Sequence, residues 1–212
     1  MKTAVIWGTG GIGLAIAEKA KAEGFSVIAL VHNELTSDTR LREVADFVLE
    51  CSLGDPAQVQ AAVLAIGQHV EQIDWWVYAA GDICAAPLQK MTPSQWKQIL
   101  DANLSGVVYT LMYGSPLLAA DGVITILGAV SEKMRLPGLS AYAAAKAGVE
   151  ALAEVAGKEL RKTVQVLRPG AVDTLFWKRV PFRLPPGALS PQEVADKVYA
   201  LYLEKRAGTI DL

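Results

Sequence analysis

Two cysteines and two histidines are all that the 212 residues contain, which leaves little material for a disulfide framework or a metal centre. Cys51 and Cys84 stand in apolar surroundings without metal-like spacing, so reduced core thiols are expected, and neither His32 nor His69 has neighbours at ligand spacing. No metal is implied. Paired carboxylates of the kind that hydrolysis uses are missing as well. Neither sign of charge is in excess: 20 Lys and Arg against 22 Asp and Glu give −2, with a pI near 5.7, which argues against a nucleic-acid surface. Apolar runs stay below the roughly 18 residues that a membrane span needs. The hydrophobic fraction of 52% and mean hydropathy of +0.28 therefore point to buried strands, with no membrane partner. Ala4 to Ala17 mimic a secretory leader, but glycines interrupt the stretch, and Glu18, Lys19 and Lys21 follow without a small-residue cleavage pattern. A cytoplasmic location is expected.

Short apolar runs rich in β-branched or aromatic residues recur at Ala4 to Trp7, Val27 to Val31, Phe47 to Leu49, Trp75 to Ala79, Val123 to Leu127 and Val164 to Leu167, with helix-like stretches between them. Three helix starts share one grammar of cap, proline at the first helical position, and Glu or Gln at the third: Asp55-Pro56-Ala57-Gln58, Thr92-Pro93-Ser94-Gln95 and Ser190-Pro191-Gln192-Glu193. Strands that alternate with helices and read as continuous apolar runs imply a parallel sheet covered on both faces. The expectation is one α/β domain over residues 1–212, doubly wound in the Rossmann manner, with a proline-stiffened, lid-like loop at about 172–189.

After the first strand comes Gly8-Thr9-Gly10-Gly11-Ile12-Gly13 and then a helix. In a dinucleotide-binding turn of this kind Gly8 permits the tight bend, Gly10 lets backbone approach a pyrophosphate, and Gly13 allows close helix packing, while the helix N-terminus presents free N–H groups. An acid that would hold the adenosine ribose should end the second strand, yet that strand ends Leu30-Val31-His32-Asn33, with Glu34 the nearest carboxylate. His32 is either a contact for a 2′-phosphate or an exposed loop residue. The balance favours NADP over NAD by a small margin.

Tyr142 and Lys146 lie four apart, on one face of a helix. A lysine ammonium near the phenol is expected to lower the tyrosine pKa below its free value of about 10 and so ready it for proton transfer.

The glycine turn, Ala79-Ala80-Gly81 after the fourth strand, Asn103, Tyr142 with Lys146, and Pro169-Gly170 with Val172 and Thr174 together resemble the short-chain dehydrogenase/reductase family over essentially the whole chain. The resemblance implies an NAD(P)-dependent oxidoreductase. Tyr142 would be its acid/base, Lys146 the partner that also holds the nicotinamide ribose, and Asn103 the support for a water linked to that lysine. Pro169, Gly170, Val172 and Thr174 would lie along the nicotinamide. It also implies a small-molecule substrate, and a homodimer or homotetramer assembled through helices near Asp101 to Leu118 and Ser140 to Arg161.

Departures from the family pattern are equally informative. Ala129 stands where a serine normally hydrogen-bonds the substrate carbonyl; either Ser131 has taken its place or the site works without it. Losing such a donor costs on the order of 10²-fold in rate, so an easily reduced acceptor would suit this site. Tyr78 replaces the first asparagine of the family's Asn-Ala-Ala-Gly, and Ser52 replaces an aspartate that contacts adenine, which leaves the neighbouring Leu53 to that base. Within the family the chain resembles the quinonoid dihydropteridine reductases. The likeness lies in Gln95-Trp96-Lys97-Gln98, Ile124-Thr125-Ile126-Leu127-Gly128-Ala129, Pro137-Gly138, and Val172-Asp173-Thr174 ahead of Lys178-Arg179. It lacks that subgroup's aspartate after the second strand and its tryptophan after Gly81. Trp75, Trp76 and Trp96 are expected in the core, whereas Trp177 beside Phe176 is placed to cap a flat substrate or simply to pack. Lys178, Arg179 and Arg183 form a basic cluster that is either solvated or meets an anion. The competing reading is a dinucleotide sensor or scaffold that lost turnover with the serine.

Overall fold

The computed structural model describes residues 1–33 and 38–212, the side chain of Ser131 excepted. Seven strands, β1 (Thr3–Trp7), β2 (Ser26–Val31), β3 (Phe47–Glu50), β4 (Ile73–Tyr78), β5 (Leu118–Leu127), β6 (Thr163–Arg168) and β7 (Gly208–Asp211), pair in the order β3-β2-β1-β4-β5-β6-β7. Every pairing is parallel. The helices are α1 (Ile12–Ala22), α2 (Leu41–Val44), α3 (Pro56–His69), α4 (Pro93–Leu100), α5 (Gly106–Gly114), α6 (Ser140–Leu160) and α7 (Pro191–Glu204). This is the doubly wound α/β fold expected, with one edge strand more than the six apolar runs suggested. β7 is four residues long and mostly exposed, so it never reads as an apolar run.

Neighbouring residues of β4 show why both faces need helices. Trp75 and Trp76 are both fully buried and point to opposite sides of the sheet. Trp75 lies among the side chains of α1 and α7, its ring stacked at 4.6 Å on Tyr202, and its indole N–H donates to Thr125 Oγ1 at 3.0 Å. Trp76 lies among those of α3, α5 and α6, 5.4 Å from Trp7, against Gly114, where an added Cβ would sit 2.1 Å from the indole. Glycine at 114 is thus what lets α5 approach the sheet. Trp96 departs from the expectation: it sits on the outer side of α4 and is 39% exposed.

All three helix starts form as read. Asp55 accepts from the N–H groups of Ala57 and Gln58, and Thr92 and Ser190 each complete a reciprocal capping box. Strand order reverses between β1 and β4, and the glycine turn after β1 and Ala79-Ala80-Gly81 after β4 lie side by side at the carboxyl ends of these two strands. Among the described residues no helix is long and apolar enough to cross a membrane, and no cluster of His, Cys, Asp and Glu is placed to hold a metal ion. Both cysteines are free, and burial pushes the Cys51 thiol up to about 11.

Candidate active site

The glycine turn fits together by main-chain contact. A Cβ on Gly8, whose φ is +88°, would lie 2.4 Å from Ala80 Cα, and one on Gly13 would lie 1.9 Å from the Gly8 carbonyl oxygen. A Cβ on Gly11, at φ +42°, would meet the Thr174 methyl at 2.9 Å, so the loop after β6 rests on the turn. Gly10 differs: nothing lies within 4 Å of where its Cβ would be. Gly8 N–H donates to Leu30 O and Ala79 N–H to Trp7 O, which fixes the turn between β2 and β4. No side chain caps the start of α1; the Gly13 N–H is taken by Gly10 O at 2.9 Å, and the positive end of the helix there still favours an anion. Open space at Gly10 above an uncapped helix start fits a dinucleotide pyrophosphate. Thr9 and Ile12 are partly buried, and His32 lies exposed just past the end of β2. Glu34 falls outside the described residues.

Tyr142 is on the first turn of α6 and Lys146 one turn later. The lysine is buried; its Nζ lies 5.7 Å from the centre of the Tyr142 ring and donates to Leu127 O at 2.9 Å. The expected drop in the tyrosine pKa is absent. Burial holds the Tyr142 proton more tightly than usual, and the same desolvation lowers Lys146 to about 8, which still leaves it mostly charged near neutral pH.

Asn103 belongs to a π-helical turn, Asp101–Ser105, between α4 and α5. Its Nδ2 donates to Asp82 O at 2.7 Å and to Ile99 O at 2.9 Å, while its Oδ1 is buried without a hydrogen-bond partner. A Cβ on Gly81 would stand 2.9 Å from that oxygen and 3.8 Å from Lys146 Nζ. Asn103 and Lys146 therefore flank one bare glycine, and the orphaned oxygen suits a bridging water. Tyr78 explains the turn. Its hydroxyl donates to Ala102 O at 2.8 Å and occupies the space where a Gly106 Cβ would be, 2.3 Å away. Burial keeps this second phenol neutral. Leu53 packs against Gly106 on the same side.

Pro169 is buried, and Gly170 is open, with nothing within 4 Å of a built Cβ. Val172 is buried and joins Leu189 in a parallel bridge that closes the base of the loop expected to act as a lid. Inside that loop, Thr174 caps a 3₁₀ turn, Leu175–Arg179. Phe176, not Trp177, faces Tyr142, with ring centres 6.0 Å apart; the Trp177 indole N–H is engaged by Val172 O at 2.8 Å. Lys178 and Arg183 are exposed, and Arg179 pairs with Asp82. Ala129 is buried just past β5. Ser131 opens a short 3₁₀ turn, Ser131–Met134, and its side chain lies outside the description. Sequence reading missed Arg168, whose guanidinium gathers Asp211, Glu132 and Glu150 at 2.7 to 3.3 Å and so ties that turn and α6 to the end of β6.

Residues 2–182 match the family described as short chain dehydrogenase. The 3-oxoacyl-(acyl-carrier-protein) reductase MabA of Mycobacterium tuberculosis is 31% identical over 214 residues, covering 94% of this chain and 84% of that protein. An oxidoreductase of Staphylococcus epidermidis is 31% identical over 218 residues, covering 94% and 90%. Among solved structures, an alcohol dehydrogenase from Thermococcus sibiricus, complexed with 5-hydroxy-NADP, superposes with a TM-score of 0.88 at 26% identity, covering 100% of this chain and 96% of that one.

Proposed function

The chain belongs to the short-chain dehydrogenase family, as an oxidoreductase, and from that premise we propose that it reduces a small carbonyl or quinonoid compound with NADPH or NADH, using Tyr142 as proton donor. The observation that carries the reading is that Asn103 and Lys146 flank Gly81, with Lys146 5.7 Å from the Tyr142 ring, in a chain whose glycine turn leaves open space at Gly10. A bound nicotinamide would supply the hydride. The glycine turn and the start of α1 would hold its pyrophosphate, and Lys146 its ribose hydroxyls.

Tyr142 is then a phenol that stays protonated at neutral pH, because burial disfavours its anion. It gives that proton to the atom that hydride addition leaves basic, the oxygen of a carbonyl or a ring nitrogen of a dihydropterin. Lys146, 5.7 Å from the ring, stabilises the phenolate left behind, and Asn103 Oδ1 accepts from the water that resupplies the proton. NADP is favoured because β2 ends in Val31-His32-Asn33 without an acid, and because the archaeal relative holds an NADP derivative. Ala129 offers no hydroxyl to polarise a carbonyl, and Phe176 lies over Tyr142, features that suit a flat, electron-poor acceptor of the dihydropterin kind. A 3-oxoacyl thioester is the second reading, supported by the likeness to the mycobacterial reductase. We place the enzyme in the cytoplasm as a homodimer or homotetramer joined through α5 and α6, whose surfaces expose Met112 and Val155.

The test is oxidation of NADPH and NADH against simple ketones, a 3-oxoacyl thioester and quinonoid dihydropterin. Tyr142→Phe is expected to lose about 10³-fold in turnover while still binding cofactor. Cofactor binding without oxidation across the whole panel would sink the reductase in favour of a dinucleotide sensor or scaffold.

A further inference from the structure

Asp82 has its main chain in the active site and its side chain in the lid. It follows Gly81 directly, and its carbonyl accepts from Asn103 Nδ2 at 2.7 Å. Its carboxylate pairs with Arg179 of the lid turn, accepts from Gln98 Nε2 of α4 at 2.6 Å, and accepts from the Ile83 N–H at 2.8 Å. The Asp82 side chain is 16% exposed and that of Arg179 51%. Arg179 lies on the same 3₁₀ turn as Phe176, the residue facing Tyr142 at 6.0 Å. Trp177, between them, is fastened to Val172 at the root of the lid. The ion pair with Asp82 thus joins this turn to the segment that follows Gly81.

We propose that Asp82 is a positioning residue: through Arg179 it latches Phe176 over Tyr142, while its carbonyl fixes the amide of Asn103, so that one residue sets both the lid and the support of Lys146. The proposal takes the reductase reading as its premise. Two further donors, from Gln98 and Ile83, keep the carboxylate in place when Arg179 departs, so the lid can open without dismantling the Asn103 site. A pair with one partner half exposed biases a two-state lid by a few-fold and does not lock it, which suits a loop that opens in every catalytic cycle.

Hydrogen exchange of the segment 175–183, read by mass spectrometry in the full-length protein, is compared among wild type, Arg179→Met, Asp82→Asn and the double variant, alongside steady-state kinetics. Each single substitution is expected to speed exchange in the lid about two- to fivefold and to raise the KM of the acceptor by a similar factor, with a smaller change in kcat. The double variant should exceed neither single one, because both remove the same contact. Raised salt should shrink the difference between wild type and Arg179→Met. Unchanged lid exchange in Arg179→Met, or additive effects of the two substitutions, overturns the latch. Arg179 is exposed, so its variant remains decisive if Asp82→Asn folds poorly. Exchange needs no turnover: a protein that oxidises neither cofactor defeats the reductase reading while the latch is still measured.

Discussion

The glycine turn and the lid meet where Thr174 touches Gly11, and they are built on opposite principles. The turn is specified by what its residues lack. Gly8 and Gly13 sit where any Cβ would collide with main chain at 2.4 Å or less, Gly8 against Ala80 and Gly13 against Gly8 itself, so the turn is held by close backbone packing with no side chain taking part. The lid is specified by what its side chains reach: Trp177 to Val172, Arg179 to Asp82, Phe176 to Tyr142. One region is a rigid seat, and the other is a set of separable contacts, each worth a small bias. A site that binds one invariant cofactor and exchanges variable substrates has use for both.

The sharpest way to break that contrast is Gly13→Ala. Its methyl carbon would fall 1.9 Å from the Gly8 carbonyl oxygen, and relief requires moving either the turn or α1. We expect a loss of about 3 kcal/mol in urea unfolding together with loss of cofactor binding; a variant as stable as wild type would show the turn to be soft.

Next in size is Lys146→Met. Lys146 is buried with its pKa lowered to about 8 from an ordinary 10.5, so from about pH 8 to 10.5 the unfolded chain holds more proton than the folded one. Wild-type stability therefore rises with pH through that window, and below it the burial of a charge is a standing cost. The methionine variant should be more stable by about 2 kcal/mol near pH 7, lose that advantage by about pH 9.5, and have no turnover. Parallel unfolding curves for the two proteins at both pH values would contradict this.

The smallest effect on stability is expected at Gly10→Ala, because nothing lies within 4 Å of the added carbon. Unfolding should change by under about 0.5 kcal/mol, yet calorimetric cofactor affinity should fall about tenfold or more if backbone must approach the pyrophosphate there. Equal affinity would move the phosphate site away from Gly10.

How far the sequence could be read follows the same division. Strands β1 to β6, the glycine turn and the three proline-capped helix starts were readable because each carries its signal within a few residues. β7 was not, because Gly208 to Asp211 become a strand only by pairing with β6. Spacing alone correctly brought Lys146 near Tyr142, yet the direction of the tyrosine's shift was misjudged, since burial is a tertiary property. Tyr78 looked like a defect in a family motif. Its hydroxyl turns out to hold the π-helical turn of Asn103 through Ala102, with Gly106 making room, a solution that joins Tyr78 to a turn some way along the chain. Asp82 and Arg179 lie almost a hundred residues apart, and no local pattern announces their pairing.

The bridge between Val172 and Leu189 has a consequence for evolvability. Because the two ends of the lid are held together by main-chain hydrogen bonds, Asp173 to Leu189 and Leu189 to Ala171, the sequence between them is topologically a replaceable cassette. Its length and chemistry can be exchanged at a closure cost that grows only slowly with size, while the sheet is left untouched and Thr174 alone must be kept for the glycine turn. Grafting the corresponding loop from a relative onto these two anchors would therefore change which molecules the scaffold accepts without asking the scaffold to fold anew.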